Sequence, residues 1–201
     1  MANSKPYHRE DLREELLEAG RAYIALHGHN GLSIRTLAQQ VGVSPGAPYH
    51  HFPDRRQFLL ALAIEGFKDL IAASADVLAA PLPSDKKLLA MGMQFIDFAD
   101  SNPRLLDLMY ESELTAPTLD PELLRYQIVG HDALNIPIAS SRPDLAEDEI
   151  ELRNLVFWST IYGFASMRRK GIIHAREDEV TDQNFAVAAV LRKAVESALA
   201  P

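Results

Sequence analysis

The stretch "LSIRTLAQQVGVSPGAPYHHF", Leu32 to Phe52, contains two short helical segments separated by a sharp break. Ser33 is placed to cap the first segment, and Gly42 supplies the positive φ that a tight turn requires. Ser44 is placed to cap the second segment, with Pro45 at its first position, where a missing N–H costs nothing. Two short helices joined in this way predict a helix-turn-helix.

The second segment carries side chains that suit a surface in contact with DNA. Gly46 and Ala47 are small, so the front of the helix can approach another molecule closely. Tyr49 and His50 offer hydrogen-bond donors for phosphate oxygens or base edges. Pro48 is expected to tighten or distort the first turn, because its ring would press on a carbonyl one turn earlier.

The flanks of the stretch favour DNA binding over an ordinary corner between helices. Arg35 and Thr36 stand with Ser33 at the start of the preceding helix, and Arg55 stands at the start of the following one. Hydroxyls and cations at two helix starts can grip phosphates on either side of an exposed helix. These flanks therefore strengthen the prediction of a nucleic-acid contact.

Helical periodicity dominates the rest of the chain. Apolar residues recur at steps of three and four from Leu12 to Leu26, and no stretch alternates as a strand would. Further helices are expected over residues 54–80, 84–100, 103–113, 121–135, 146–170 and 182–200. The sequence thus predicts an all-α protein of about nine helices, with a three-helix head joined by a shared fourth helix to a larger helical body. We expect residues 1–53 to form the DNA-binding domain, and 54–201 to form a ligand-binding and dimerisation domain.

The charge distribution permits a nucleic-acid partner although the net charge is −8. Residues 1–60 hold seven Lys and Arg against six Asp and Glu, whereas the remainder holds thirteen against twenty-two. The head is therefore slightly basic and the body strongly acidic, so the local balance is more informative than the total.

Several kinds of active site are excluded or lack their signature. The chain has no cysteine, which excludes thiolate chemistry and disulfides. No histidine has a glutamate three residues before it, as a di-iron bundle needs, and no nucleophile elbow or phosphate-binding loop is present. We therefore expect no enzyme activity, no cofactor and no metal.

The sequence also favours a cytoplasmic protein that makes no membrane contact. The opening "MANSKPYHREDL" is polar and charged, unlike a signal peptide or an anchor. The most apolar run, "LVFWSTIYGFASM" at residues 155–167, is shorter than the roughly 18 residues that span a bilayer.

The run "LSIRTLAQQVGVSPGAPYHHFPDRRQFLLAL" resembles the DNA-binding head of the TetR-type, or tetracycline-repressor-like, transcriptional regulators. The match covers about residues 10–62. It implies that the third helix enters the major groove of DNA. The resemblance gives phosphate contacts to Ser33, Thr36, Tyr49, His50 and Arg55. It places Ser44, Gly46, Ala47 and Pro48 nearest the bases.

The body resembles one subgroup of these regulators, whose late helix carries a tryptophan followed by a histidine-glycine pair. Here Trp158 is followed by Tyr162 and Gly163, so a tyrosine replaces that histidine and the histidine's role is not transferred. The family resemblance implies a homodimer formed through the last two helices and an effector enclosed by the remaining body helices.

Two sets of body residues are candidates for these roles. An apolar strip suited to close helix pairing consists of Val187, Val190, Leu191, Ala194 and Ala198, although it could instead fill the core of its own chain. Large flexible or aromatic side chains on successive helices suit an apolar ligand, although each could equally fill the core: Met91, Phe95, Phe98, Leu105, Met109, Tyr126, Trp158 and Tyr162.

Taken together, the sequence predicts a ligand-responsive repressor that binds a palindromic operator as a dimer and is released by a small apolar or amphipathic effector. The alternative is a helical protein-interaction module without sequence-specific DNA binding.

Overall fold

The computed structural model describes the chain over residues 9–173 and 183–201, and within these ranges it is all-α, as predicted. The described residues form eight α-helices and one short 3-10 helix, close to the expected nine. In chain order these are α1 (Arg9–His27), α2 (Ile34–Val41), the 3-10 helix (Ala47–His50), α3 (Arg55–Ala79), α4 (Ser84–Ser101), α5 (Pro103–Tyr110), α6 (Pro121–Ser141), α7 (Glu147–Arg169) and α8 (Gln183–Ala198).

Helix α6 is longer than the sequence predicted. The helix was expected to end near Asn135, but it continues to Ser141 with Pro137 inside it. Proline removes one helical hydrogen bond and costs about 3 kcal/mol in a helix interior. Leu134 and Ile138 on either side of it are buried, and burial of two such side chains offsets a cost of that size.

The helices form two compact units. The N-terminal unit comprises Met1–Gly66 and Arg104–Leu124, and the body unit comprises Phe67–Pro103 and Arg125–Pro201. Helix α3 contributes residues to both. The functional boundary expected after residue 53 remains a prediction.

The core of the N-terminal unit is built where α1 meets the start of α3. Leu16 and Ile24 of α1 are buried, and Phe58 of α3 is fully enclosed. Gly20 permits this approach, since a Cβ at that position would lie 2.7 Å from Cζ of Phe58. Phe52 turns into the same core, with its ring edge-on to Phe58 at a centroid distance of 4.8 Å.

The core of the body unit lies among α4, α7 and α8. Gly92 of α4 allows the closest approach, because a Cβ there would lie 2.5 Å from Cδ2 of Leu191 on α8. Most of the predicted pairing strip on α8 packs inside this core. Four of its residues are buried within the chain: Val187, Leu191, Ala194 and Ala198. Of the two roles considered for the strip, these four residues take the second, because α8 uses its apolar face to complete its own unit.

The apolar run at residues 155–167 lies within α7 and is divided between core and surface. Phe157, Ile161 and Phe164 are buried, whereas Leu155 and Val156 are about half exposed. In the part of the chain that the structure describes, no helix combines the length and apolar character needed to cross a membrane.

Candidate nucleic-acid interface

The first helix of the helix-turn-helix is capped at both ends as the sequence predicts. The Ser33 hydroxyl accepts a hydrogen bond from the backbone N–H of Thr36, and Gly42 ends α2 with a φ of 82°. Ile34 and Leu37 are buried against the unit's core. The opposite face of the helix start, with Ser33, Arg35 and Thr36, is therefore turned to solvent.

The second helix differs from the expected one. It is a 3-10 helix over Ala47–His50, preceded by Gly46, and Ser44 does not cap it with its side chain. Instead the Ser44 carbonyl accepts from the N–H of Ala47, and the Gly46 carbonyl accepts from that of Tyr49, both three residues on. Pro45 and Pro48 lack the N–H groups that a regular α-helix would use here, so the shorter repeat replaces it.

Most of the predicted DNA-contacting residues of this turn are exposed to solvent. Tyr49 is 41% exposed, and its neighbours on the same surface are exposed or partly so: Ser44, Pro45, Gly46, Ala47 and His50. Together with the start of α2 they form what we call the helix-turn-helix surface: Ser33, Arg35, Thr36, Ser44, Pro45, Gly46, Ala47, Tyr49 and His50.

Pro48 stands apart from this surface, because its side chain is buried in the N-terminal unit. A buried ring cannot lie against base edges, so the placement of Pro48 nearest the bases is corrected. The residue instead fixes the backbone, and its carbonyl accepts hydrogen bonds from the N–H groups of His51 and Phe52.

Arg55 also differs from its expected role as a phosphate contact. Its guanidinium donates to three backbone carbonyls of the α1–α2 turn, those of His29 at 2.6 Å, Asn30 at 3.2 Å and Leu32 at 3.1 Å. Its Nη1 also forms an ion pair with the Glu113 carboxylate. These four hydrogen bonds direct most of the guanidinium's donors at the protein's own oxygens.

Arg56 makes a second set of contacts to the same part of the chain. It donates to the Glu113 carbonyl at 3.1 Å and pairs with the Asp120 carboxylate at 2.8 Å. Sequence reasoning missed Glu113 and Asp120, which follow the arginines by 58 and 64 residues. No local pattern marks such a pairing.

The predicted ligand-binding residues fall into two groups. Phe95, Trp158 and Tyr162 lie together in the body unit, with centroid distances of 4.6 Å between Phe95 and Trp158 and 5.9 Å between Trp158 and Tyr162. In the same unit Met91 is buried, and Phe98 and Tyr126 are partly buried. Leu105 and Met109 belong to the N-terminal unit, where both pack beside Gly66. A role in ligand binding remains a prediction for all eight.

An all-α chain with an exposed helix-turn-helix in its N-terminal unit falls in the class of helix-turn-helix proteins. Two family profiles match it, "Bacterial regulatory proteins, tetR family" over residues 16–62 and "Tetracyclin repressor-like, C-terminal domain" over residues 88–198. The second match spans more than half of the chain. The protein belongs to the TetR family of bacterial transcriptional regulators, as its sequence resemblance predicted.

Individual relatives agree with this assignment. The HTH-type transcriptional repressor AcnR of Corynebacterium diphtheriae is 47% identical over 53 residues, which are 26% of this chain and 28% of that protein. The HTH-type transcriptional regulator Rv1816 of Mycobacterium tuberculosis is 27% identical over 148 residues, 70% of this chain and 63% of that one. The matched part thus spans about a quarter of the length of AcnR and less than two thirds of the length of Rv1816.

A solved structure of a protein of unknown function from Rhodococcus sp. RHA1 is similar over nearly the whole chain. Its TM-score is 0.79 at 28% identity, with 98% of this chain and 97% of that chain covered. The similarity therefore extends to the body unit as well as the helix-turn-helix.

Proposed function

We propose that the protein is a ligand-responsive transcriptional repressor that binds double-stranded DNA as a homodimer. The single observation that carries the proposal is the helix-turn-helix surface of a TetR-family chain, on which polar and small residues are exposed while Ile34, Leu37 and Phe52 hold it from beneath. Regulation of transcription by binding, without catalysis, is the family's mode of action.

Within this proposal the start of α2 binds phosphates and the 3-10 helix faces the bases. Ser33 and Thr36 offer hydroxyls and Arg35 offers a cation at a helix N-terminus, which favours anions. Tyr49 and His50 add donors at the rim, and Ser44, Pro45, Gly46 and Ala47 lie closest to the groove. Pro48 is left out of the set because it is buried.

The dimer is proposed to form through the last two helices, with the exposed face of α7 at its centre. Leu152, Val156 and Met167 recur at helical spacing on α7 and are 41% to 54% exposed. Gly163 lies on the same stripe, and among the described residues no side chain or neighbouring segment comes within 4 Å of the Cβ that it lacks. An apolar stripe with a small residue on it suits close pairing with a second copy.

A two-fold dimer presents two helix-turn-helix surfaces to a palindrome. To enter successive major grooves on one side of the duplex, the two must lie about 34 to 36 Å apart or near a multiple of it. An effector that favours another spacing would weaken DNA binding by the same factor by which DNA weakens effector binding.

The effector is proposed to be a small apolar or amphipathic molecule, taken up by the body beside Phe95, Trp158 and Tyr162. Three neighbouring aromatic rings and the methionine Met91 supply an adaptable apolar lining, and the tyrosine hydroxyl and indole N–H supply polar contacts. A cytoplasmic location follows from the proposed contact with DNA.

Selection of bound duplexes from a random DNA pool by the purified protein tests the proposal. A palindrome with half-sites about one helical turn apart is expected, together with an affinity that falls steeply with salt. Recovery of no consensus would instead favour a helical protein-interaction module. An effector screen then uses the selected palindrome and measures its release.

A further inference from the structure

Arg55 connects two parts of the N-terminal unit that are remote in sequence. On one side its guanidinium binds the carbonyls of His29, Asn30 and Leu32, the turn that leads directly into the Ser33 cap. On the other side it pairs with Glu113, in the segment after α5. One side chain thus fixes the turn from which the proposed phosphate-binding end of α2 begins.

The segment around Glu113 is itself held by hydrogen bonds and burial. Arg56 binds the Glu113 carbonyl and the Asp120 carboxylate, which is largely shielded from solvent. Within the segment, the Ser112 hydroxyl donates to the Leu108 carbonyl at 2.7 Å, and Leu114 is buried. The Glu113 carboxylate is therefore presented to Arg55 from an anchored backbone.

The geometry of Arg55 is suited to holding the turn and poorly suited to a phosphate. A guanidinium has five N–H donors in a rigid fork, and here Nε, Nη1 and Nη2 are all directed at protein oxygens. These four hydrogen bonds leave one Nη1 N–H, so a phosphate held by more than that single donor would require the side chain to give up a protein partner. Lysine, a point charge with three donors, could not reproduce the same set of contacts.

We propose that Arg55 is a positioning residue for DNA binding and that Glu113 acts through it, so that the segment after α5 sets the placement of the helix-turn-helix. This inference rests on the proposed DNA-binding function. It makes residues 111–120, which lie outside the helix-turn-helix sequence, a determinant of operator affinity. Any ligand or substitution that displaces this segment then changes DNA binding without touching the DNA.

The direction in which DNA affinity changes when Glu113 loses its charge distinguishes positioning from simple electrostatics. The variant Glu113→Gln removes a negative charge from the DNA-binding unit, which by electrostatics alone strengthens binding to the DNA polyanion. Positioning predicts the opposite, an affinity for the selected palindrome reduced by about 5- to 10-fold. Glu122→Gln is the matched control, because the Glu122 side chain is exposed in the same unit and forms no ion pair among the described residues.

The salt dependence separates positioning from a phosphate contact. Loss of one phosphate contact lowers the slope of log K against log salt by about 0.9. We expect Arg55→Lys and Arg55→Gln both to weaken binding, with the slope unchanged in each. A slope lowered in Arg55→Gln and retained in Arg55→Lys, with normal binding by the lysine variant, overturns the proposal.

Hydrogen exchange tests, without DNA, whether Glu113 holds Arg55 on the α1–α2 turn, so its outcome is independent of the proposed function. Backbone amides of residues 28–36 are expected to exchange faster in Glu113→Gln than in wild type or Glu122→Gln, while those of the buried α1 core stay protected. Unchanged exchange in this turn contradicts the proposal even if the wild type binds DNA. Faster exchange in a protein that selects no palindrome supports the role of Glu113 and Arg55 in holding the turn. It contradicts only the proposed DNA-binding function.

Discussion

The side-chain amide of Asn154 on α7 donates a hydrogen bond to Oδ1 of Asn135 on α6, with an N···O distance of 2.7 Å and no exposed surface at Asn154. The same amide donates to the His131 carbonyl at 2.8 Å. Asn135 in turn donates to the Glu151 carboxylate, which also meets the His131 ring. The hydrogen bond from Asn135, and to a smaller extent that from His131, lowers the pKa of Glu151. A polar network thus joins α6 to α7 within the body unit.

Replacement of Asn154 by aspartate is expected to destabilise the protein strongly. The new carboxylate has the same shape but no N–H, so it faces the acceptors of Asn135 and His131 in a buried site. We expect the free energy of unfolding to fall by about 3 kcal/mol at pH 7, measured by urea denaturation. The loss should shrink at low pH, where a protonated carboxyl regains one donor. A variant as stable as wild type at pH 7 would show that the network contributes nothing.

The two glycines of the turn are expected to respond differently to alanine. Gly42 has a φ of 82°, where a Cβ is strained, so Gly42→Ala should cost about 1 kcal/mol of stability. Gly46 has a φ of −87° and open space around it, so Gly46→Ala should leave the thermal midpoint almost unchanged. Equal midpoints for the two variants would contradict this account of the turn.

A bulkier side chain at Gly46 tests whether this position lies near the bases. Gly46→Leu should fold normally, because no other segment that the structure describes lies within 4 Å of the added Cβ. Against the selected palindrome it should bind about 10-fold more weakly or worse, since the helix front could no longer approach the groove. Fluorescence anisotropy measures this loss, and wild-type affinity in the variant would place Gly46 away from the DNA.

The proposed dimer face is tested at Gly163. The added Cβ meets no other segment within the described part of the chain, but a leucine here would separate two α7 helices packed against each other. Gly163→Leu is therefore expected to yield monomers by light scattering after size exclusion. Gly130→Leu is the matched control, because Gly130 is also helical and open, on α6, and should leave the dimer intact. Dimers in both variants would move the interface away from Gly163.

The stability of the fold should depend on pH through His29. Burial lowers the pKa of His29 below its ordinary value of 6.5, and Arg55 lowers it further, although Glu113 opposes them. The unfolded chain therefore takes up the proton at a higher pH than the folded one. The stabilisation by neutral His29 is complete above about pH 6.5 and is lost as the pH falls through the lowered pKa.

The variant His29→Gln should flatten the fall in stability in that pH window. Urea unfolding at a series of pH values measures the slope, and a proton NMR titration of the His29 ring measures the pKa itself. A His29 ring that titrates at or above 6.5 would contradict the assignment.

Much of the fold could be predicted because it depends on short-range chemistry. The Ser33 cap and the Gly42 turn are each set by a few neighbouring residues, and both are present. The apolar stripe of α1 is buried at Leu12 and Leu16, but Leu26 at its predicted end is exposed and Ile24 is buried instead. The family resemblance rests on the same local signals. Pro137 was misleading because its local effect is a helix break, whereas burial of Leu134 and Ile138 keeps α6 continuous.

The sequence by itself thus determined the all-α class and the helix-turn-helix, since helical period, caps and turns act within a few residues. Only the tertiary structure decided that Pro48 is buried and that the apolar strip of α8 packs in its own core. It also decided that Arg55 binds the α1–α2 turn and Glu113. Burial and pairing depend on which distant segments meet, and residues 55 and 113 become neighbours only when the chain has folded. The physical reason is that hydrogen bonds and apolar contacts act over a few ångströms in space, whatever the separation along the chain.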